Sequence, residues 1–362
     1  MNARERLRRC YFNEELDRPG ILHSRAGLPQ DDPSYAKLGA YIEAHTDLKR
    51  SWGAQQFERP YSVDHHGEPY SEDFERQVTT LHTPTGDLQS SRLVSLKGQP
   101  GLHETYLIKT RKDAEKYLSL PLPELGGHIS SFFAANREMG DRGIVSVGLG
   151  RNPGGFTAEL LGSETFAFMS VEDRDLLHTL CARQMTVIMN RLKFLLAQNV
   201  GPYFAMSGEE YIAPPLHGPT DFRDFNVQYD KPIIDLIHDA GGRIHIHCHG
   251  RIKRVFQEFV HMGTDVLHPF EAPPMGDITA EEAKGLARGK MGLEGNIQIA
   301  AMYEYTPEQI RKETEALIKV AFDDYKGLIV CPTTSPYIRG KGEACFERYK
   351  TMIDTVLEWR KH

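Results

Sequence analysis

Arg243-Ile244-His245-Ile246-His247-Cys248-His249-Gly250 is the stretch on which the reading of this chain turns. Side chains alternate between the two faces of a strand, so His245, His247 and His249 share one face, and Ile244, Ile246 and Cys248 share the other. The apolar set suits a layer of helices. The three histidines then point to the inner side of the sheet, and His247 and His249 lie nearest its carboxyl end.

Outward from this segment, the pattern from about residue 143 alternates short apolar strands with amphipathic helices. Strands are expected at 143–148, 202–206, 243–249, 265–270, 290–295 and 327–331. Between residues 175 and 200, Leu176, Leu177, Leu180, Ile188, Leu192, Leu195 and Leu196 recur at helical spacing. Thr279-Ala280-Glu281-Glu282 and Thr306-Pro307-Glu308-Gln309 read as helix-starting capping boxes, the second with proline at the first helical position. Such alternation argues for an α/β fold with a parallel sheet, open or closed. In both architectures ligands bind at the carboxyl ends of the strands.

The first third reads differently. Residues 29–34 and 60–72 break any helix, and 76–97 alternate like a hairpin whose turn is Thr83-Pro84-Thr85-Gly86-Asp87. This part is expected to be an insertion over one end of the core within a single domain spanning 1–362, with about 1–140 before the main body and about 141–362 forming it.

Composition narrows the function classes. A hydrophobic fraction of 40% and a charged fraction of 26% suit a globular protein with a sizeable core. No apolar run approaches the ~20 residues that span a bilayer. The charged opening Met1–Arg9 lacks the apolar stretch of a secretory signal, so a cytoplasmic protein is expected, without membrane partners. The net charge of −7 and the absence of a basic run argue against nucleic acid. The 5 cysteines are scattered and odd in number, which fits a reducing compartment.

Neutral imidazoles two apart on one strand are a common metal-ligand arrangement, and catalytic zinc takes three protein ligands plus an open position. His247 and His249 are therefore candidate metal ligands, with Cys331, at the end of a later strand, as the third. The competing reading is of hydrogen-bonded core histidines and a core-filling thiol. His245, deepest in the strand, is expected to hydrogen-bond a neighbour. Glu209 and Glu271, at other strand exits, are candidate catalytic carboxylates that would ligate the metal, orient a histidine or protonate a leaving oxygen. For Glu209, beside Glu210, capping of the following turn is the alternative. Asn296, after Gly295, is the candidate for fixing a cofactor or substrate, with a turn-forming role as the alternative.

Several segments, taken in order, resemble the uroporphyrinogen decarboxylase superfamily: Met1–Arg9 followed by Asp17-Arg18-Pro19-Gly20-Ile21, Thr83-Pro84-Thr85-Gly86, the histidine strand, Asp265-Val266-Leu267-His268-Pro269-Phe270-Glu271, Leu293-Glu294-Gly295-Asn296-Ile297 and Thr306–Ile310. The resemblance implies a distorted (β/α)₈ TIM-type barrel. True decarboxylases hold porphyrin carboxylates with two arginines of an N-terminal Arg-Gln-Ala-Gly-Arg segment; here the stretch is Ser24-Arg25-Ala26-Gly27-Leu28, and both of those positions are changed. The sequence is more similar to the corrinoid-dependent methyltransferase branch. That branch implies zinc held by a His-x-Cys pair and a distal cysteine, which fall on His247, His249 and Cys331, with His249 departing from cysteine. Some methyltransferases acting on methyl ethers show a Glu-x₁₄-Glu-x₂₀-His metal pattern, and Glu209, Asp224 and His245 have that spacing with aspartate at the second position.

The expectation is thus a zinc-dependent methyltransferase acting between a small-molecule donor or acceptor and a corrinoid protein. The partner would supply cobalamin, since this chain lacks an Asp-x-His-x-x-Gly motif. A homodimer is compatible with this reading. Alternatives are a metal-dependent decarboxylase or lyase on a small acid, a true uroporphyrinogen decarboxylase, and a barrel that has kept only the fold.

Overall fold

The computed structural model describes residues 1–22, 27–29, 31–53, 57–97 and 100–359. Its 14 strands, in chain order, are β1 (Gly20–Ile21), β2 (Leu48–Trp52), β3 (Phe57–Glu58), β4 (Val63–Pro69), β5 (Phe74–Leu81), β6 (Leu88–Ser95), β7 (Leu102–Thr105), β8 (Glu124–Leu125), β9 (Gly143–Arg151), β10 (Tyr203–Ser207), β11 (Arg243–His247), β12 (Val266–His268), β13 (Gly292–Ile297) and β14 (Leu328–Pro332).

Eight of these form one sheet in the order β1-β14-β13-β12-β11-β10-β9-β2, and every pair in it is parallel. From β2 onward each strand therefore neighbours its successor in this set, and β14 returns to β1. That is the order of a (β/α)₈ barrel, here distorted. The ring is incomplete between β1 and β2, where Asp47 forms the join. Its amide donates to Ile21 O at 2.8 Å, and its carboxylate accepts from Ile21 N at 2.9 Å. The same carboxylate, 1% exposed, accepts from Arg6 at 2.6 Å and from Arg18 at 3.2 Å. The Asp17-Arg18-Pro19 segment and the opening helix Ala3–Tyr11, capped by Asn2, thus fasten the barrel's open edge.

The core lies around the strands. Ile244, Ile246 and Cys248 are fully buried in one cluster with Ile233, Ile237, Phe256 and Phe259 of neighbouring helices. The apolar face of the histidine strand does meet the helix layer. Both capping boxes form as the sequence indicates, at Thr279/Glu282 and Thr306/Gln309. The long helix runs Arg174–Ala197.

The N-terminal third carries a four-stranded antiparallel sheet, β4-β5-β6-β7, containing the hairpin read from the sequence. Residues 63–69, read as irregular, form β4 and pair with β5 throughout. This strand is almost wholly exposed, so no inward-outward alternation of apolar residues advertises it. The sheet packs through Leu81 and Leu88 onto Leu120, with Tyr117 alongside.

Candidate metal centre

Inside the barrel, His245, His247, His268, Glu294, Cys331 and Lys49 line a cavity of about 210 Å³ together with Leu22, Pro332, Thr334 and Ser335. The strands set these positions directly. In the β11–β12 register His247 lies opposite His268, and in the β13–β14 register Asn296 lies opposite Cys331.

The hydrogen bonds fix the protons of the histidines. His268 Nε2 lies 3.3 Å from Pro332 O, an atom that only accepts, so Nε2 carries the hydrogen. Burial pushes the His268 pKa down to about 4, so at neutral pH its ring has one hydrogen and Nδ1 is a lone pair. His247 Nδ1, 2.9 Å away, must then be the donor. Burial, reinforced by His268, His249 and His245, pushes the His247 pKa down to about 2, so this ring is neutral as well. The relay leaves His247 Nε2 as an unprotonated lone pair.

His249 is held in the same way by a different group. Its Nδ1 lies 3.1 Å from Glu271 Oε2, which also accepts the Gly250 amide at 3.0 Å. Gly250 has φ +96°, a conformation that favours glycine, and this turns its N–H onto the carboxylate. Burial raises the Glu271 pKa, but the His249 and Gly250 hydrogen bonds outweigh it and hold the carboxyl below its ordinary value. With Nδ1 turned to Glu271, Nε2 is the other ring nitrogen that His249 offers. The two rings are 4.7 Å apart at 84°. Metal-bound histidines are characteristically held by a partner on the other ring nitrogen, and both rings have one here. The buried Cys331 thiol adds a soft donor in the same cavity as His247, its pKa pushed well up by burial.

Deeper, His245 Nε2 is 3.4 Å from Glu294 Oε2 and has no hydrogen-bond partner. The expected hydrogen bond of His245 is replaced by this looser contact, and burial holds the His245 pKa below its ordinary value, so the ring is neutral there. Glu294, 3% exposed, receives Lys49 Nζ at 2.9 and 3.0 Å. Burial opposes ionisation of Glu294, but Lys49 and His245 hold its pKa well below the ordinary value. Among the described residues, His245, His268 and Glu294 are a group whose ligand-type atoms all lie within 4.8 Å of one another.

Other sequence candidates lie elsewhere. Glu209, with no exposed surface, is not among the residues lining this cavity, and both its carboxylate oxygens lack partners. Burial and nearby Asp230 push its pKa well up. Asp230 itself accepts from Asn152, which also bridges to Asn226. Asp224 ion-pairs with Arg174 at 2.6 Å, and Glu209, Asp224 and His245 are not a group whose ligand-type atoms lie within 4.8 Å of one another. Asn296 donates to Phe270 O and lines a second, larger cavity with Gln298 and Ala272. Ser24, Arg25 and Ala26 lie outside the described residues, while Leu28 is 5% exposed. Sequence reasoning passed over His268, Glu294 and Lys49 as site residues. The signal for His268 was available: it ends a strand beside the histidine strand.

Three comparisons bear on this arrangement. The sequence profile of a family described as uroporphyrinogen decarboxylase (URO-D) matches residues 128–335, more than half of the chain. No curated protein sequence matches the chain. Among solved structures, a methyltransferase from Methanosarcina mazei superposes with a TM-score of 0.59 at 12% identity, covering 98% of each chain. A muconate lactonizing enzyme from Pseudomonas putida, at 10% identity, covers 83% of this chain and 77% of its own with a TM-score of 0.27, too loose a likeness to argue from. The first of these shows a shared fold.

Proposed function

The chain belongs to the uroporphyrinogen decarboxylase family, and from that premise we propose that it is a methyltransferase that exchanges a methyl group between a corrinoid protein and a small molecule, with zinc at the barrel mouth. The observation that carries this reading is the pair of histidines whose Nδ1 hydrogens are both committed, His247 to His268 and His249 to Glu271. Each ring is locked with Nε2 available. Cys331, which shares the cavity with His247, would complete a nitrogen-nitrogen-sulfur donor set that suits zinc and leaves one position open, although the ligand atoms of His247, His249 and Cys331 do not all lie within 4.8 Å of one another.

Bound there, zinc supplies Lewis acidity toward a thiol acceptor or a donor oxygen. The chain's own residues do the rest. Glu271 and His268 orient the two imidazoles and fix their tautomers. Lys49 keeps Glu294 charge-compensated beneath them. Pro332 and Thr334 form part of the cavity wall. Glu209 we place in the scaffold, as a carboxyl protonated by its burial, and Asn296 in the wall between the two cavities. Among the described residues no helix is long and apolar enough to cross a membrane, and we place the reaction in the cytoplasm.

The test pairs metal-loaded protein with methylcobalamin and candidate thiols in one arm, and with reduced cobalamin and methylated donors in the other. The cobalt spectrum is followed, with a cognate corrinoid protein added where needed. Methyl transfer in one arm, lost on His247→Ala and His249→Ala, is the expected result. Unchanged cobalt spectra in both arms from metal-loaded protein would reject the reading in favour of a metal-dependent lyase.

A further inference from the structure

We propose that the barrel floor is a second seat for a divalent cation, formed by His245, Glu294 and His268, and that it competes with the mouth seat rather than filling beside it. Two features point there, and a third restrains it. The ligand-type atoms of the three residues lie within 4.8 Å of one another. His245, 7% exposed, keeps its Nε2 without a hydrogen-bond partner, a condition a buried polar atom rarely tolerates. Glu294 supplies a buried negative charge, already compensated by a cation in the form of Lys49 Nζ. The set is two nitrogens and an oxygen with no thiolate, so it is harder than the mouth set and suits zinc, cobalt or manganese. A spacing of two strand residues separates His245 from His247, about 6–7 Å along the strand.

Competition follows from His268. Its Nδ1 accepts from His247 and its Nε2 donates to Pro332 O, so both nitrogens are spent while the mouth arrangement stands. To ligate a floor cation, His268 must give up one of these bonds. If Nε2 turns to the cation, the hydrogen moves to Nδ1 and is donated to His247 Nδ1, which obliges neutral His247 to carry its own hydrogen on Nε2. That nitrogen can then no longer bind metal. If Nδ1 turns instead, His247 loses the acceptor that orients it. Lys49 is the second brake, because its ammonium already occupies Glu294 and repels an incoming ion.

The probe is Co²⁺ alone, titrated into the full chain and followed by visible and near-ultraviolet absorption. This seat and the mouth seat of the proposed function give separable signals, since only the mouth set has a thiolate to give a sulfur-to-cobalt charge-transfer band. Wild-type protein is expected to bind one tight equivalent. The His249→Ala/Cys331→Ser double variant is expected to bind one equivalent without the thiolate band, and adding Glu294→Gln is expected to weaken that binding at least tenfold. Adding Lys49→Met to the same double variant is expected to strengthen it by a similar factor. Circular dichroism and a thermal melt of each variant confirm folding. The proposal is overturned if the folded double variant shows no saturable Co²⁺ binding, or if Glu294→Gln leaves its binding unchanged. Two tight equivalents on wild-type protein would overturn the competition. Absence of the thiolate band in wild-type protein would count against the mouth site alone.

Discussion

At the scale of single residues, His268 matters as much as the histidines it supports. Its Nδ1 is the acceptor for His247 Nδ1–H. Replacing such a supporting partner typically costs about 10–100-fold in metal affinity. His268→Phe is therefore expected to weaken zinc at the mouth by that factor, read by competition with a chromophoric chelator, whereas Cys248→Ala should leave affinity unchanged. Equal losses in the two variants would place Cys248, not the relay, in control of the site. Glu209 supports a prediction about pH. Burial and Asp230 raise its pKa in the folded protein, so the native chain keeps a proton that the unfolded chain releases around pH ~4.3. The native state binds more protons above that pH, and stability falls as pH rises. Glu209→Gln removes the ionisation and should raise Tm at pH 8 by more than at pH 5; equal shifts at both would mean the carboxyl is not protonated in the native state. The shared face of His245 and His247 was legible in the sequence because strand geometry is local, whereas β11 ends at His247 and leaves His249 beyond the strand. The relay was not, because it depends on which side chain of β12 stands opposite His247, a matter of register between segments 21 residues apart.

Among the elements, the strands of the main body could be read from their apolar runs, and their observed bounds differ by a few residues at the ends. The covering sheet was half legible: its β5–β6 hairpin announces itself through a turn, but β4 has no buried face to impose a pattern. The join between β1 and β2 could not be read at all, since it depends on one buried aspartate shared by two arginines and a strand end. Removing one partner from such a buried arrangement costs about 3–5 kcal/mol. Asp47→Ala is expected to lower unfolding free energy by an amount in that range, measured by urea denaturation, because Arg6 and Arg18 are left without their shared carboxylate. A loss no larger than that of the exposed Lys231–Asp235 pair would show that the backbone bond alone closes the ring.

For the molecule as a whole, the resemblance to the decarboxylases bears on the substrate through Leu28. Leu28 is buried where decarboxylases of the family present an arginine, and an apolar side chain cannot pair with a porphyrin carboxylate. The protein is expected to convert no uroporphyrinogen to coproporphyrinogen above a blank without enzyme, by fluorescence of the oxidised products; measurable turnover would return it to the decarboxylases. The ring order has a mechanical side too. Counting around the barrel from β2 through β9 to β14 and β1, the midpoint falls between β11 and β12. The His247–His268 relay bridges those two strands, so it stands diametrically across from the Asp47 join. A split ring that breathes opens at its gap and moves least at the opposite point. Amide hydrogen exchange should therefore be fastest at Ile21 and Leu48 and slowest along Ile244–His247, so that the wall carrying the imidazoles is the stationary side of a barrel that loosens at its far edge.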